Sequence, residues 1–172
     1  MRTLSIVRCT SVTAAVLLLV ACQPAAPPDY DAMYKPIADA EVAAWNTGDV
    51  AALDAVIAPN FKRVSAAFPT TETLDAFKKA ITDLRTGYPD TKLAIDETHS
   101  TKDVSVSRWT FTGTNTGPGT APPTGKAVKL SGLTQVKYEG GKAVEEVVYF
   151  DTADWYTQLG FTMVPPKAKA GK

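Results

Sequence analysis

The chain has 172 residues, with 18 basic and 18 acidic side chains that leave no formal net charge at pH 7. Nucleic-acid-binding proteins carry a basic excess or a basic patch, so we expect no nucleic-acid partner. One histidine and two cysteines are too few to build a transition-metal site, so we expect no bound metal.

The first 21 residues have the layout of an export signal. Two arginines precede an apolar run over residues 12–21, which is shorter than a membrane span and ends at Cys22. Leu19-Val20-Ala21-Cys22 resembles the lipobox of bacterial lipoproteins, in which the cysteine is acylated. The resemblance implies a signal peptide over 1–21 and a lipid on Cys22. The alternative is an ordinary signal peptide with an unrelated cysteine.

Residues 22–30 form a linker rich in proline and alanine. Such linkers are extended and semi-rigid, so this one would hold a domain away from a membrane surface. Gln23 follows the cysteine, which resembles lipoproteins that are sent to the outer membrane. We therefore expect a protein of the cell envelope, anchored to the outer membrane and facing the periplasm if the host is Gram-negative.

Helical patterns fill the first half of the mature chain. Apolar residues recur at helical spacing in three segments, which predicts helices over 35–46, 50–57 and 72–85. Pro36 suits a first helical turn, and Thr71 is the expected cap of the third helix. A short strand is predicted over 61–65.

From residue 92 onward the apolar pattern changes to period two. This predicts strands over 92–98, 104–115, 127–138 and 143–151. Gly140 and Gly141 suit a type I′ hairpin between the last two strands, and one helical turn over 153–159 closes the domain. The order predicts an α+β architecture, with helices packed on one face of a curved antiparallel sheet. Such a sheet can leave a cone-shaped cavity beneath the helices.

Seven short motifs occur in the order and spacing found in one protein family. They are Trp45-Asn46-Thr47-Gly48-Asp49, Tyr88-Pro89-Asp90, Arg108-Trp109, Gly113-Thr114-Asn115-Thr116-Gly117, Pro122-Pro123-Thr124-Gly125-Lys126, Gly141-Lys142 and Phe150-Asp151. On these motifs residues 31–161 resemble SnoaL-like polyketide cyclases, or ester cyclases, of the NTF2-like superfamily, and 162–172 form a flexible tail. The resemblance implies a cone-shaped barrel, often a homodimer, with a deep pocket for a small hydrophobic molecule and no cofactor.

The resemblance also implies a chemistry. Characterised members close a ring by an intramolecular aldol reaction, in which an acid at the end of a late strand takes a proton next to a carbonyl. Asp151 matches this acid, so we expect it to act as a general base that faces the pocket. The alternative is a strand-end carboxylate that caps residues 153–155.

Asn115 stands where members of the family commonly have histidine. Its predicted role is either a catalytic hydrogen bond to a substrate carbonyl or enolate, or a bond to its own loop backbone. Arg108 is expected either to clamp a ligand carboxylate or to pair with a structural acid such as Glu145 or Glu146.

The remaining candidates for the substrate-binding wall share aromatic, apolar or amide side chains on the predicted helices and strands. They are Trp45, Trp109, Gln135, Val147 and Tyr149. Trp109 fits the core as well as it fits a wall, and many family members have tryptophan in place of Val147.

Three functions remain open at this level. The first is a lipid-anchored protein that binds a small hydrophobic carbonyl compound, with cyclase or isomerase chemistry through Asp151. The second is a binding module that carries or senses such a ligand without chemistry. The third is an interaction protein whose open sheet face forms a dimer or docks a partner. One fold hosts many functions, so the fold alone does not choose among them.

Overall fold

The computed structural model describes residues 26–119 and 121–164. The predicted signal peptide, Cys22 and the end of the predicted tail lie outside these residues. The elements in chain order are α1 (Tyr30–Thr47), α2 (Leu53–Val56), β1 (Ile57–Ser65), α3 (Leu74–Gly87), β2 (Lys92–Ser100), β3 (Val104–Thr114), β4 (Ala127–Glu139), β5 (Lys142–Phe150) and α4 (Thr152–Gln158).

The five strands form one sheet in the order β1-β5-β4-β3-β2. Strands β2 to β5 follow one another as an antiparallel meander, as predicted. Strand β1 instead pairs in parallel with β5 at the edge, where Pro59 is tolerated because an edge strand leaves some N–H groups unpaired. The α+β architecture with a curved sheet is confirmed.

The helix α1 begins earlier than its pattern predicts. Asp29 caps it by accepting a hydrogen bond from the Ala32 N–H at 3.0 Å, and Pro36 lies inside the helix rather than in its first turn. The Tyr34 ring stacks on Tyr138 at 3.6 Å, and its hydroxyl donates to a backbone carbonyl of the β2–β3 turn. These contacts with the sheet stabilise a first turn that proline alone would weaken.

Local signals also shift the other helices. Thr73, not Thr71, caps α3 by accepting from the Ala76 N–H at 3.2 Å.

Gly140 and Gly141 have φ angles of 57° and 78°, the positive values that a type I′ hairpin requires. No helix within the described ranges is long and apolar enough to cross a membrane.

Two groups of buried side chains form the core. The first joins α1 and α3 to the sheet and includes Ile37, Phe61, Phe77 and Ile81. The second lies around α4 and includes Tyr88, Phe111, Leu130 and Trp155. Members of both groups line one cavity, so the cavity lies between them.

Candidate functional site

A cavity of about 120 Å³ lies between α1 and the inner face of the sheet. Its wall is mostly aromatic and aliphatic, and includes Ile37, Trp45, Phe68, Tyr88, Trp109, Phe111, Leu130, Val148, Phe150 and Trp155. The volume is close to that of an engineered apolar cavity of about 150 Å³ that binds benzene. The cavity therefore suits a ligand of about one ring.

Trp45 reaches the cavity because its helix is fixed at that end. The Asn46 side chain donates to the Leu93 carbonyl at 2.9 Å and accepts from the Leu93 N–H at 2.6 Å. Arg85 donates to the carbonyls of Trp45 and Asn46, each at 2.8 Å. The motif at residues 45–49 thus joins α1 to β2 and α3.

Trp109 forms part of the opposite wall. Its indole N–H donates to the Thr134 hydroxyl at 2.9 Å, and its ring lies over Gly132, where a methyl group would be 2.2 Å from the ring. The structure thus places Trp45 and Trp109 on the cavity wall, the position expected for both.

Three charged side chains form the polar part of the wall. Glu41 projects from α1, Arg63 from β1 and Glu146 from β5, and all three line the cavity. Arg63 Nε lies 3.5 Å from Glu146 Oε1, and the guanidinium lies over the Trp45 ring at 5.6 Å. The side chains of Arg63 and Glu146 are only 10% and 6% exposed.

Burial raises the pKa of both acids. The pKa of Glu41 lies well above its usual range because burial and the nearby Glu146 charge outweigh the attraction of Arg63. Burial also raises the pKa of Glu146, although the nearby charge of Arg63 opposes the shift. Each acid therefore keeps its proton to a higher pH than an exposed glutamate does.

Tyr138 contributes a hydroxyl beside these acids. Burial raises its pKa to about 12, and its hydroxyl lies 2.7 Å from the Ser105 hydroxyl. The phenol therefore stays neutral across the physiological range and remains available as a hydrogen-bond donor.

Asp151 does not face the cavity. It caps α4 by accepting from the Asp154 N–H at 2.9 Å, and it is exposed. Its neighbour Phe150 lines the cavity instead. The alternative role, a capping carboxylate, describes this geometry, so the predicted base lacks the position that the chemistry requires.

A β-bulge explains the misplacement. The pairing of β4 with β5 shifts register, so that Ala143 opposes Tyr138 while Glu145 opposes Lys137. The extra residue in β5 reverses which side chains face inward. Beyond the bulge Glu146, Val148 and Phe150 line the cavity, and the alternate residues face outward.

Four further candidates lie together on the outer face of the sheet, because they follow the same alternation. Arg108 opposes Leu133, which opposes Tyr149 on the next strand, and the adjacent row contains Gln135 and Val147. None of the four candidates lines the cavity. Arg108 pairs with Asp96 at 3.1 Å and Glu97 at 3.7 Å rather than with Glu145 or Glu146.

Asn115 is buried but holds a loop rather than a ligand. Its Oδ1 accepts from the Thr124 N–H at 2.8 Å and lies 3.0 Å from the Thr124 hydroxyl. Its backbone N–H donates to Lys126, and its carbonyl accepts from Thr124 and Gly125. The second of its predicted roles, bonding within the loop, describes this geometry.

Sequence reasoning missed Glu41 and Arg63 as members of the site. Ile37, Glu41 and Trp45 recur every four residues and so share one helix face, and a carboxylate on an otherwise apolar face was an available signal. Arg63 stands two residues after Phe61 and so shares the buried face of β1 with it.

The comparisons support the fold. TsrD from Streptomyces laurentii is 24% identical with a TM-score of 0.69, covering 75% of this chain and 96% of its own. AclR from Streptomyces galilaeus, described as a candidate hydroxylase, is 24% identical with a TM-score of 0.65 (79% and 86% covered). IdmH from Streptomyces antibioticus, described as a candidate polyketide cyclase, is 20% identical with a TM-score of 0.63 (74% and 98% covered).

At these identities the likeness establishes a shared fold rather than a shared reaction. No curated protein matches the sequence. The profile of the family described as SnoaL-like polyketide cyclase matches residues 36–159, which contain the larger part of α1, the whole sheet and α4. The chain therefore belongs to the SnoaL-like polyketide cyclase family.

Proposed function

We propose that the protein binds a small carbonyl compound in the cavity and transfers a proton on it, with Glu146 as the acid–base group. The observation that carries the proposal is a pair of buried carboxyl groups with raised pKa values, beside one guanidinium, inside an apolar cavity. Perturbed titratable groups in an apolar pocket are typical of functional sites.

The proposed step needs only groups of this chain. The Glu146 carboxylate takes a proton from the carbon next to the ligand carbonyl, and the electron pair of that C–H bond forms an enolate. The neutral Tyr138 hydroxyl donates a hydrogen bond to the enolate oxygen. In a ligand with a double bond next to the enolate, Glu146 then returns the proton to another carbon, which is isomerisation. Alternatively the enolate attacks a second carbonyl of the ligand, and the resulting alkoxide oxygen takes the proton from Glu146, which is ring closure.

A binding role without chemistry is the second candidate. The stacking of the Arg63 guanidinium on Trp45 and its ion pair with Glu146 favour it, because they are also what a purely structural cluster would show. In that case the cavity would hold a hydrophobic ligand, and the acids would only orient it.

Exchange of α-protons with deuterium separates the two candidates. Cyclohexanone fits the size of the cavity, and its exchange in D₂O can be followed by proton NMR. We expect exchange above the buffer rate with the wild-type protein and with Asp151→Asn, and at least about a hundredfold less with Glu146→Gln. Binding of cyclohexanone with no exchange above buffer would support the binding role instead.

We also propose that the protein is anchored to the cell envelope by a lipid on Cys22. The lipobox resemblance and the linker over 22–30 support this proposal. Cys22→Ala is expected to move the protein from the membrane fraction to the soluble fraction of the envelope. A protein that stays in the membrane fraction after this substitution would argue against the anchor.

A homodimer is the third proposal about this chain. Val106, Leu133 and Tyr149 are exposed apolar side chains on neighbouring strands of the outer sheet face. Apolar side chains that cluster on one face are typical of interaction surfaces. A second copy that covers this face would leave the cavity, on the inner face, free for a ligand.

A further inference from the structure

The cavity contains polar atoms that no described group satisfies. Glu41 Oε1 and Glu146 Oε2 are buried and have no hydrogen-bond partner, and both residues line the cavity. Arg63 Nε also lacks a hydrogen bond, but it is turned toward Glu146 Oε1 at 3.5 Å. Buried polar atoms are nearly always paired, so two free acceptors call for donors from a ligand.

The charges in the cavity do not balance either. Among the described residues that line it there are two carboxyl groups and a single cation, Arg63. Arg63 forms its ion pair with Glu146, which leaves Glu41 as the second, uncompensated acid. A buried carboxylate without a counter-charge is costly, so burial favours the protonated form of Glu41 in the empty cavity, and a ligand cation would allow it to ionise.

The surroundings of the acids suit a cation. Tyr138 lies near both acids, and Trp109 and Phe111 line the same cavity. Aromatic faces attract cations and also hold the apolar part of a ligand. A carboxylate ligand, by contrast, would be repelled by Glu41 and would leave both free acceptors without a donor.

We propose that the ligand of this cavity carries a basic amine, whose ammonium group donates hydrogen bonds to Glu41 Oε1 and Glu146 Oε2. The ammonium group supplies both the missing donors and the missing positive charge. The inference deepens the proposed function, since it makes the ligand an amine-bearing carbonyl compound. Its carbonyl oxygen would then lie toward the Tyr138 hydroxyl.

Calorimetry with two probes of equal size tests this inference. Benzylamine is an ammonium ion at pH 7, and benzyl alcohol has nearly the same shape without the charge; both match the volume of the cavity. We expect the wild-type protein to bind benzylamine at least about tenfold more tightly than benzyl alcohol. Glu41→Gln should reduce benzylamine binding at least about tenfold, whereas the exposed control Glu139→Gln should leave it unchanged.

Two results would overturn the inference. One is equal binding of the two probes, or no binding of benzylamine, which would show that the two acids share a proton rather than bind a cation. The other is benzylamine binding that Glu41→Gln leaves intact. If Glu41→Gln does not fold, the comparison of the two probes on the wild-type protein still decides. Deuterium exchange of neutral cyclohexanone is independent of this result, so the proposed function can stand or fall separately.

Discussion

Glu41 couples the stability of the protein to pH. A carboxyl group whose pKa is raised on folding contributes stability below its unfolded pKa, and that stability is lost as pH rises through the folded pKa. Glu41→Gln cannot ionise and escapes this loss. We expect the variant to be more stable than wild type by about 1–3 kcal/mol at pH 8 and nearly equal at pH 4, measured by urea unfolding.

The control for this comparison is Glu139→Gln, the same change at an exposed position of the β4–β5 hairpin. Its difference from wild type should be small and should vary little between the two pH values. A Glu41→Gln difference that is equally large at pH 4 and pH 8 would contradict the burial of the Glu41 carboxyl group.

Asp151 allows a different test at the same scale. As the cap of α4 it should tolerate asparagine, which caps a helix equally well, but not alanine. We expect Asp151→Ala to lower the free energy of unfolding by about 1 kcal/mol and Asp151→Asn to change it little. Thermal unfolding of the two variants measures this, and equal losses in both would count against the capping role.

The elements show where sequence reasoning succeeds and where it stops. Hydrophobic periodicity predicted the helices, the meander and the hairpin to within a few residues, because each has a distinct period or turn signal. The inward face of β5 was not predictable in this way. Valines stand on both faces of its sequence, VEEVVYF, so alternation does not distinguish them, and a single bulged residue reverses the outcome.

The β3–β4 loop is an element held from both sides. At the far end of the loop, the Thr124 N–H donates a hydrogen bond to the Asn115 side chain. At the near end, the N–H groups of Thr116 and Gly117 both donate to the Gly87 carbonyl at 3.1 Å. A methyl group at Gly117 would lie 1.9 Å from the Thr86 carbonyl oxygen, whereas at Gly119 its closest contact would be 3.7 Å. The loop therefore packs tightly on the end of α3 at the first glycine and loosely at the second.

This difference predicts the effect of adding a methyl group. Gly117→Ala should lower the free energy of unfolding by about 1–3 kcal/mol because the loop must move away from α3. Gly119→Ala should cost less than about 1 kcal/mol, since its methyl group meets only ordinary van der Waals contacts. Chemical denaturation of the two variants provides the comparison, and equal costs would contradict the docking of the loop.

At the scale of the whole molecule, the two faces of the sheet differ in their surroundings. The inner face lines the cavity, and the outer face presents Leu133 and Tyr149, which are 46% and 64% exposed. If the outer face forms the proposed dimer, Leu133→Lys should raise the dimer dissociation constant at least about tenfold, because it places two charges in an apolar interface. Analytical ultracentrifugation measures this constant.

Ser131→Lys is the matched control for that experiment, since it adds the same charge to an exposed position two residues away on the same strand. It should affect dimerisation less than Leu133→Lys does. A wild-type protein that remains monomeric at high concentration would contradict the proposed dimer. The proposed function of the cavity would not be affected by that result.

The proposed function depends on the carboxyl groups of Glu41 and Glu146, which lie in one cavity and have raised pKa values. The most direct measurement is an NMR titration of their side-chain carboxyl carbons, assigned with Glu41→Gln and Glu146→Gln. We expect both groups to titrate above the usual range of glutamate, and the pKa of Glu41 to fall in Glu146→Gln because a repelling charge is removed. Two ordinary, independent titrations near pH 4 would contradict the claim.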